Sequence, residues 1–121
     1  MPNTRFKKLL FFLFALVMLS ACKLFKADPP GVGEKAEHGY AALEPAIKAL
    51  EQYQADKGTY PESLEELVPD YLPSVPTEVN DESILYTKMG ESYSLAFHYV
   101  GPGMNTCTYT PENKWQCSGA Y

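Results

Sequence analysis

Three cysteines, two histidines and a scatter of carboxylates are the residues of this 121-residue chain that could do chemistry. The histidines, His38 and His98, stand sixty positions apart. A nucleophilic site would need a Ser or Cys held beside one of them, and the chain contains no Gly-x-Ser-x-Gly or comparable turn. His38 falls in a helical pattern and His98 alternates along a strand, so the first reads as solvated and the second as outward-facing. No catalytic residue is expected. Cys107 and Cys117 lie ten apart, far from the short intervals of a zinc ligand set. Glu78, Asn80, Asp81 and Glu82 offer oxygens in one loop but lack the alternating spacing of a calcium loop. Neither a metal nor a cofactor is expected.

The third cysteine sits in a different context. Arg5, Lys7 and Lys8 precede an uncharged apolar run from Leu9 to Leu19, which is too short to span a bilayer, a task for about 20 residues. The run ends Leu19-Ser20-Ala21-Cys22. Small residues before a Cys resemble the lipobox of bacterial lipoproteins, which implies cleavage after residue 21 and lipid on the Cys22 thiol. The alternative is a plain secretory signal that leaves Cys22 free. Lys23 rather than Asp follows Cys22, which by analogy with lipoprotein sorting favours the outer membrane over the inner.

On this reading residues 1–21 are a signal peptide, 22–33 a tether and 34–121 one domain. The mature chain would hold 100 residues (121 less 21), enough for a single modest core. It keeps fifteen acidic residues against seven lysines, since Arg5, Lys7 and Lys8 leave with the signal, for a formal net charge of −8. That balance argues against a nucleic-acid partner and against binding to anionic headgroups. Lys23 to Gly33 contains Pro29-Pro30-Gly31; its 11 residues would reach about 35 Å when extended.

The domain is organised around residues 45–76. Ala36, Tyr40, Leu43, Ile47 and Leu50 recur at helical spacing, and Glu44 with Lys48 forms an i,i+4 pair on another face. Pro45 either bends this helix or begins it. Gly58 is placed to end it in a left-handed conformation. Ser63 and Glu66 then form a capping box before a second helical stretch bearing Leu64, Leu67, Val68 and Tyr71, closed by Pro69 and Pro73.

Leu50 to Tyr53, then Gly58-Thr59-Tyr60-Pro61, a short Leu-rich helix and Tyr71-Leu72-Pro73 resemble the start of the periplasmic domain of type IV pilin-like proteins, the major pseudopilins of type II secretion above all. The resemblance covers roughly residues 40–99. It implies a helix packed on a small antiparallel sheet. The family's processing Gly and nearby Glu are missing here, as are its Pro-Trp-Gly-type step and the Asp-rich calcium loop, whose place is taken by Gly101-Pro102-Gly103-Met104-Asn105-Thr106. Lipid would replace the apolar half-helix that pilins use as filament core, so polymerisation by that route is not expected.

The sheet is legible after a polar stretch at 77–83. Ile84 to Lys88 reads as a strand, and Met89 to Ser92 as a turn. Tyr93, Leu95, Phe97 and Tyr99 alternate with Ser94, Ala96 and His98, which marks a strand with one buried face. Gly101 to Gly103 breaks it. Thr106–Thr110 and Lys114–Ser118 flank Pro111-Glu112-Asn113, a three-residue hairpin loop in which Asn113 would take the left-handed position. That register sets Cys107 opposite Cys117, and in an exported chain the pair reads as a disulfide. Tyr109, Trp115 and Tyr121 cluster near this hairpin, as cross-strand pairs or as a partner-binding edge.

The chain is thus expected to be an α+β domain with a disulfide-pinned C-terminal hairpin, monomeric and tied to the periplasmic face of a membrane by lipid. Its expected role is that of an accessory or interaction protein of a type II secretion or type IV pilus machine. A stand-alone binding or inhibitor lipoprotein is the alternative.

Overall fold

A computed structural model describes residues 4–21 and 27–119. Thr4–Ala21 forms helix α1, which joins the basic residues to the apolar run and leaves Phe6 and Leu9 to Phe14 exposed. Among the described residues, no helix is long and apolar enough to cross a membrane.

Helix α2 spans Glu34–Lys57 without interruption, so Pro45 neither starts it nor breaks it. Pro45 and Ala41, whose carbonyl loses its partner, both face solvent, where water can satisfy the freed oxygen. Ala36, Gly39, Leu43, Ala46, Ile47, Ala49 and Leu50 form the buried stripe. The helix stops at Gly58, which takes φ 77° and donates its N–H to the Gln54 carbonyl at 2.8 Å.

The expected second helix is a single 3-10 turn, Leu64–Leu67. With Pro61 before it and Pro69 after it, the run is too short to propagate an α-helix. Half of its expected cap is clear: the Glu66 carboxylate accepts the Glu62 N–H at 2.6 Å and the Ser63 N–H at 3.5 Å. Leu64 and Leu67 are buried, as expected.

Residues 77–83 are not a plain loop. β1 (Glu78–Val79) and β2 (Glu82–Ser83) pair in a minimal hairpin around Asn80 and Asp81. Both turn residues have positive φ, 55° and 63°, as a two-residue hairpin of the twist-compatible kind requires. Val79 is buried in the core.

The main sheet is an antiparallel meander, β3 (Leu85–Met89), β4 (Ser92–Val100), β5 (Met104–Thr110) and β6 (Lys114–Gly119), in that spatial order. The protein is therefore α+β. Tyr93, Leu95, Phe97 and Tyr99 point inward and are buried, the first three completely. Each such side chain contributes about 1.5–3 kcal/mol through burial. α2 reaches β4 where Gly39 meets the ring of Phe97; a β-carbon there would collide with Phe97. The C-terminal hairpin keeps the expected register, but the left-handed residue is Lys114, φ 58°, not Asn113.

Candidate functional site

Cys107 and Cys117 face each other across β5 and β6 and are joined by a disulfide, with Cα atoms 4.1 Å apart. That is the close spacing of a non-hydrogen-bonded antiparallel pair. Cys107 is fully buried, whereas Cys117 reaches the surface layer, where another part of the chain lies over it.

The covering segment is the C-terminal end of the stretch that reads as a tether. Gly31 donates its N–H to the Tyr99 hydroxyl at 2.8 Å, and its carbonyl accepts from the Tyr40 hydroxyl at 2.9 Å. The same Tyr40 oxygen lies 3.1 Å from Cys117 Sγ and 3.8 Å from Cys107 Sγ. A β-carbon on Gly31 would stand 2.8 Å from Cys117 Sγ, and the residue's φ is +86°. Only glycine meets both conditions without strain. Helix, sheet, disulfide and strap therefore converge on one residue. Burial, with Tyr99 and Glu37 nearby, raises the Tyr40 pKa, so its hydroxyl stays protonated and able to donate.

A run of aromatic contacts extends from this point. Tyr40 packs on Trp115 (5.0 Å between centroids) and edge-on to Phe97 (5.6 Å), and Trp115 packs edge-on to its cross-strand partner Tyr109 (5.4 Å). Tyr109, Tyr93 and Tyr60 continue it. Tyr109 and Trp115 are thus cross-strand partners on the inner face; Tyr121 lies outside the described residues.

The histidines bond elsewhere, away from the Tyr40–disulfide contact. His38 is exposed and its Nδ1 is 3.0 Å from Asn80 Oδ1; Asn80 also donates to the Lys35 carbonyl at 2.9 Å. The amide of the acidic loop is therefore engaged with α2. His98 lies 2.9 Å from the Thr106 hydroxyl across β4 and β5. Among the described residues, no three of His, Cys, Asp and Glu gather as a metal-ligand group. Cys22 lies outside the described residues.

The second face of the sheet carries no covering element among the described residues. Its register places Leu85, Thr87 and Met89 of β3 beside Ser92, Ser94, Ala96, His98 and Val100 of β4. Met104, Thr106, Thr108 and Thr110 of β5 follow, then Lys114, Gln116 and Ser118 of β6. None of the four strands contains an Asp or Glu. Outside α1, the exposed large apolar residues among those described are Val32, Leu85, Met89, Val100 and Met104, and the last four belong to this face. The sequence showed the outward side of β4 but not the full face, which depends on strand register, nor the strap, whose Gly31 meets Tyr99 and Cys117 only once the sheet has formed.

Comparison with known proteins finds no matching family model, no similar curated protein and no similar solved structure.

Proposed function

We propose that this chain is a membrane-anchored bacterial lipoprotein, held by lipid on Cys22, whose pilin-like domain serves as an accessory or interaction protein of a type II secretion or type IV pilus machine. One observation carries the fold part of this reading. α2 ends at a left-handed Gly58, continues through Thr59-Tyr60-Pro61 into the Leu64–Leu67 turn, and lays its apolar stripe against an antiparallel meander. That is the arrangement implied by the resemblance of this stretch to pseudopilins. The anchor part is supported by the basic residues, the apolar run and Leu19-Ser20-Ala21-Cys22.

Two measurements test it. Cys22→Ala should abolish labelling by a radioactive fatty acid and block maturation; unchanged labelling would refute the lipid anchor. Deleting the gene should impair either protein secretion or surface pili in the native host. Normal secretion and normal pili in the deletion strain would refute the proposed role and leave the anchor standing.

A further inference from the structure

The distribution of charge and apolar surface over the domain is one-sided. The acids cluster on α2 and the loops around it, while β3 to β6 have none. The open sheet face presents Ser and Thr hydroxyls, His98 and Lys114, with Leu85, Met89, Val100 and Met104 standing at least 47% exposed. Glu91 and Glu112 border it only at the end remote from the strap, where Ser92 donates to Glu112.

The near end is where the chain comes in. Ala27 and Val32 line one depression with Val100, Gly101 and Pro102; Asp28 and Glu34 line it too, with Lys35 donating to the Val100 carbonyl at 2.7 Å. Asn105 donates to the carbonyls of Gly101 and Gly103, both at 3.1 Å, and so holds this loop in place. Ala27 is five residues from Cys22, a span of about 17 Å at full extension. Lys23 and Lys26 lie within that span. An anchor on Cys22 therefore keeps the Val100–Met104 corner close to the bilayer surface.

From this we infer that the open sheet face is a membrane-contacting surface, with Val100 and Met104, and Val32 beside them, meeting the bilayer surface as its leading edge. This rests on the N-terminal membrane anchorage proposed above. A strongly acidic domain tied this closely to an anionic surface is repelled through its acidic sides over a Debye length of about 8–10 Å. The sheet face carries no acid of its own, with Asp28 and Glu34 only at its edge beside Val32. It therefore meets less of that repulsion than the helix side, and its exposed apolar groups gain by leaving water. The acidic helix side is left facing outward for protein partners.

Tryptophan quenching tests the inference on the full, processed protein, extracted from membranes and reconstituted in phosphatidylethanolamine–phosphatidylglycerol vesicles that carry brominated acyl chains. In a Trp115→Phe background, Met104→Trp should show blue-shifted emission quenched by bromine, whereas Ala41→Trp on exposed α2 should stay quenchable by acrylamide. Oxidation of the wild-type protein by peroxide needs no substitution: Met104 should be protected on vesicles relative to the same protein in detergent. If the protein floats with vesicles while lipid leaves both the emission of the Met104→Trp variant and the oxidation of Met104 unaffected, the inference is overturned and the anchor survives. Loss of flotation itself overturns both. Shielding of the indole introduced by Met104→Trp without bromine quenching assigns the face to a protein contact and likewise overturns it.

Discussion

Gly31 lies so close to Cys117 that a β-carbon on it would stand 2.8 Å from the sulfur. Gly31→Ala therefore meets two penalties, a positive φ and a collision, and should cost about 2–4 kcal/mol. Gly58→Ala meets only the first, since nothing lies within 4 Å of its site, and should cost about 1–2 kcal/mol. Thermal melts of the two variants check this. Equal losses would mean that the contact with Cys117 is not felt.

Reduction of Cys107–Cys117 should lower stability by about 2.5–3 kcal/mol on the chain-entropy account. The effect should be local. Hydrogen exchange after reduction should rise in β5, β6 and at Gly31, which rests on Cys117, while β3 and the β4 amides that face it stay protected. Uniform loss of protection would contradict that. Mass spectrometry of the protein isolated from its native host without reductant should find no free thiol on these two residues.

Leu95→Ala and Phe97→Ala should each cost about 2–5 kcal/mol, because both side chains are fully buried beneath α2. Ser94→Ala, on the opposite face, should cost little. Urea titrations would settle the order; a reversed order would mean that β4 presents its other side to the core.

Tyr93 is buried among Tyr60, Tyr86 and Tyr109, and its hydroxyl has no hydrogen-bond partner among the described residues. An orphaned polar group of this kind costs about 1–3 kcal/mol. Tyr93→Phe keeps the ring and removes the orphan, so its melting temperature should rise. A fall of several degrees would reveal a partner for that oxygen.

Tyr60 and Tyr86 give the domain an alkaline limit. Burial pushes each phenol up from its ordinary value of 10.0 to about 12, with Glu51 adding to the effect at Tyr60 and Glu62 at Tyr86. An acid whose folded-state pKa is raised keeps its proton longer in the folded chain than in the unfolded one. Its contribution to stability is complete below pH 10 and is lost as pH climbs toward 12. Tyr60→Phe should flatten that decline in an alkaline series of melts. An unchanged slope would contradict the assignment.

Much of this fold was legible because its signals are local. The period-two pattern of Tyr93 to Tyr99 found β4 and its buried face, and Pro111-Glu112-Asn113 located a loop that sets Cys107 against Cys117. Gly58 stopped α2 where expected. The misses share a cause. Asn80-Asp81 turns the chain with two positive φ values that neither residue's type alone demands, and Lys114 adopts one because strand pairing requires it there. The docking of Gly31 joins positions 68 and 86 residues apart, at Tyr99 and Cys117, and no local pattern announces it.

Seen mechanically, the strap sets the load path of the domain. A pull on the N-terminal side of the chain reaches Gly31 before it reaches the first turn of α2. There the force divides between Tyr99 on the sheet and Tyr40 on the helix, through hydrogen bonds of 2.8 and 2.9 Å. Tension is therefore shared across the helix–sheet seam instead of peeling α2 away from its first residue. Once those two bonds part, the load passes to Lys35, bonded to the Val100 carbonyl at 2.7 Å, and then to Gly39 locked against Phe97 farther along the helix. Pulled from that side, the domain would yield in that order, giving up its strap before its core.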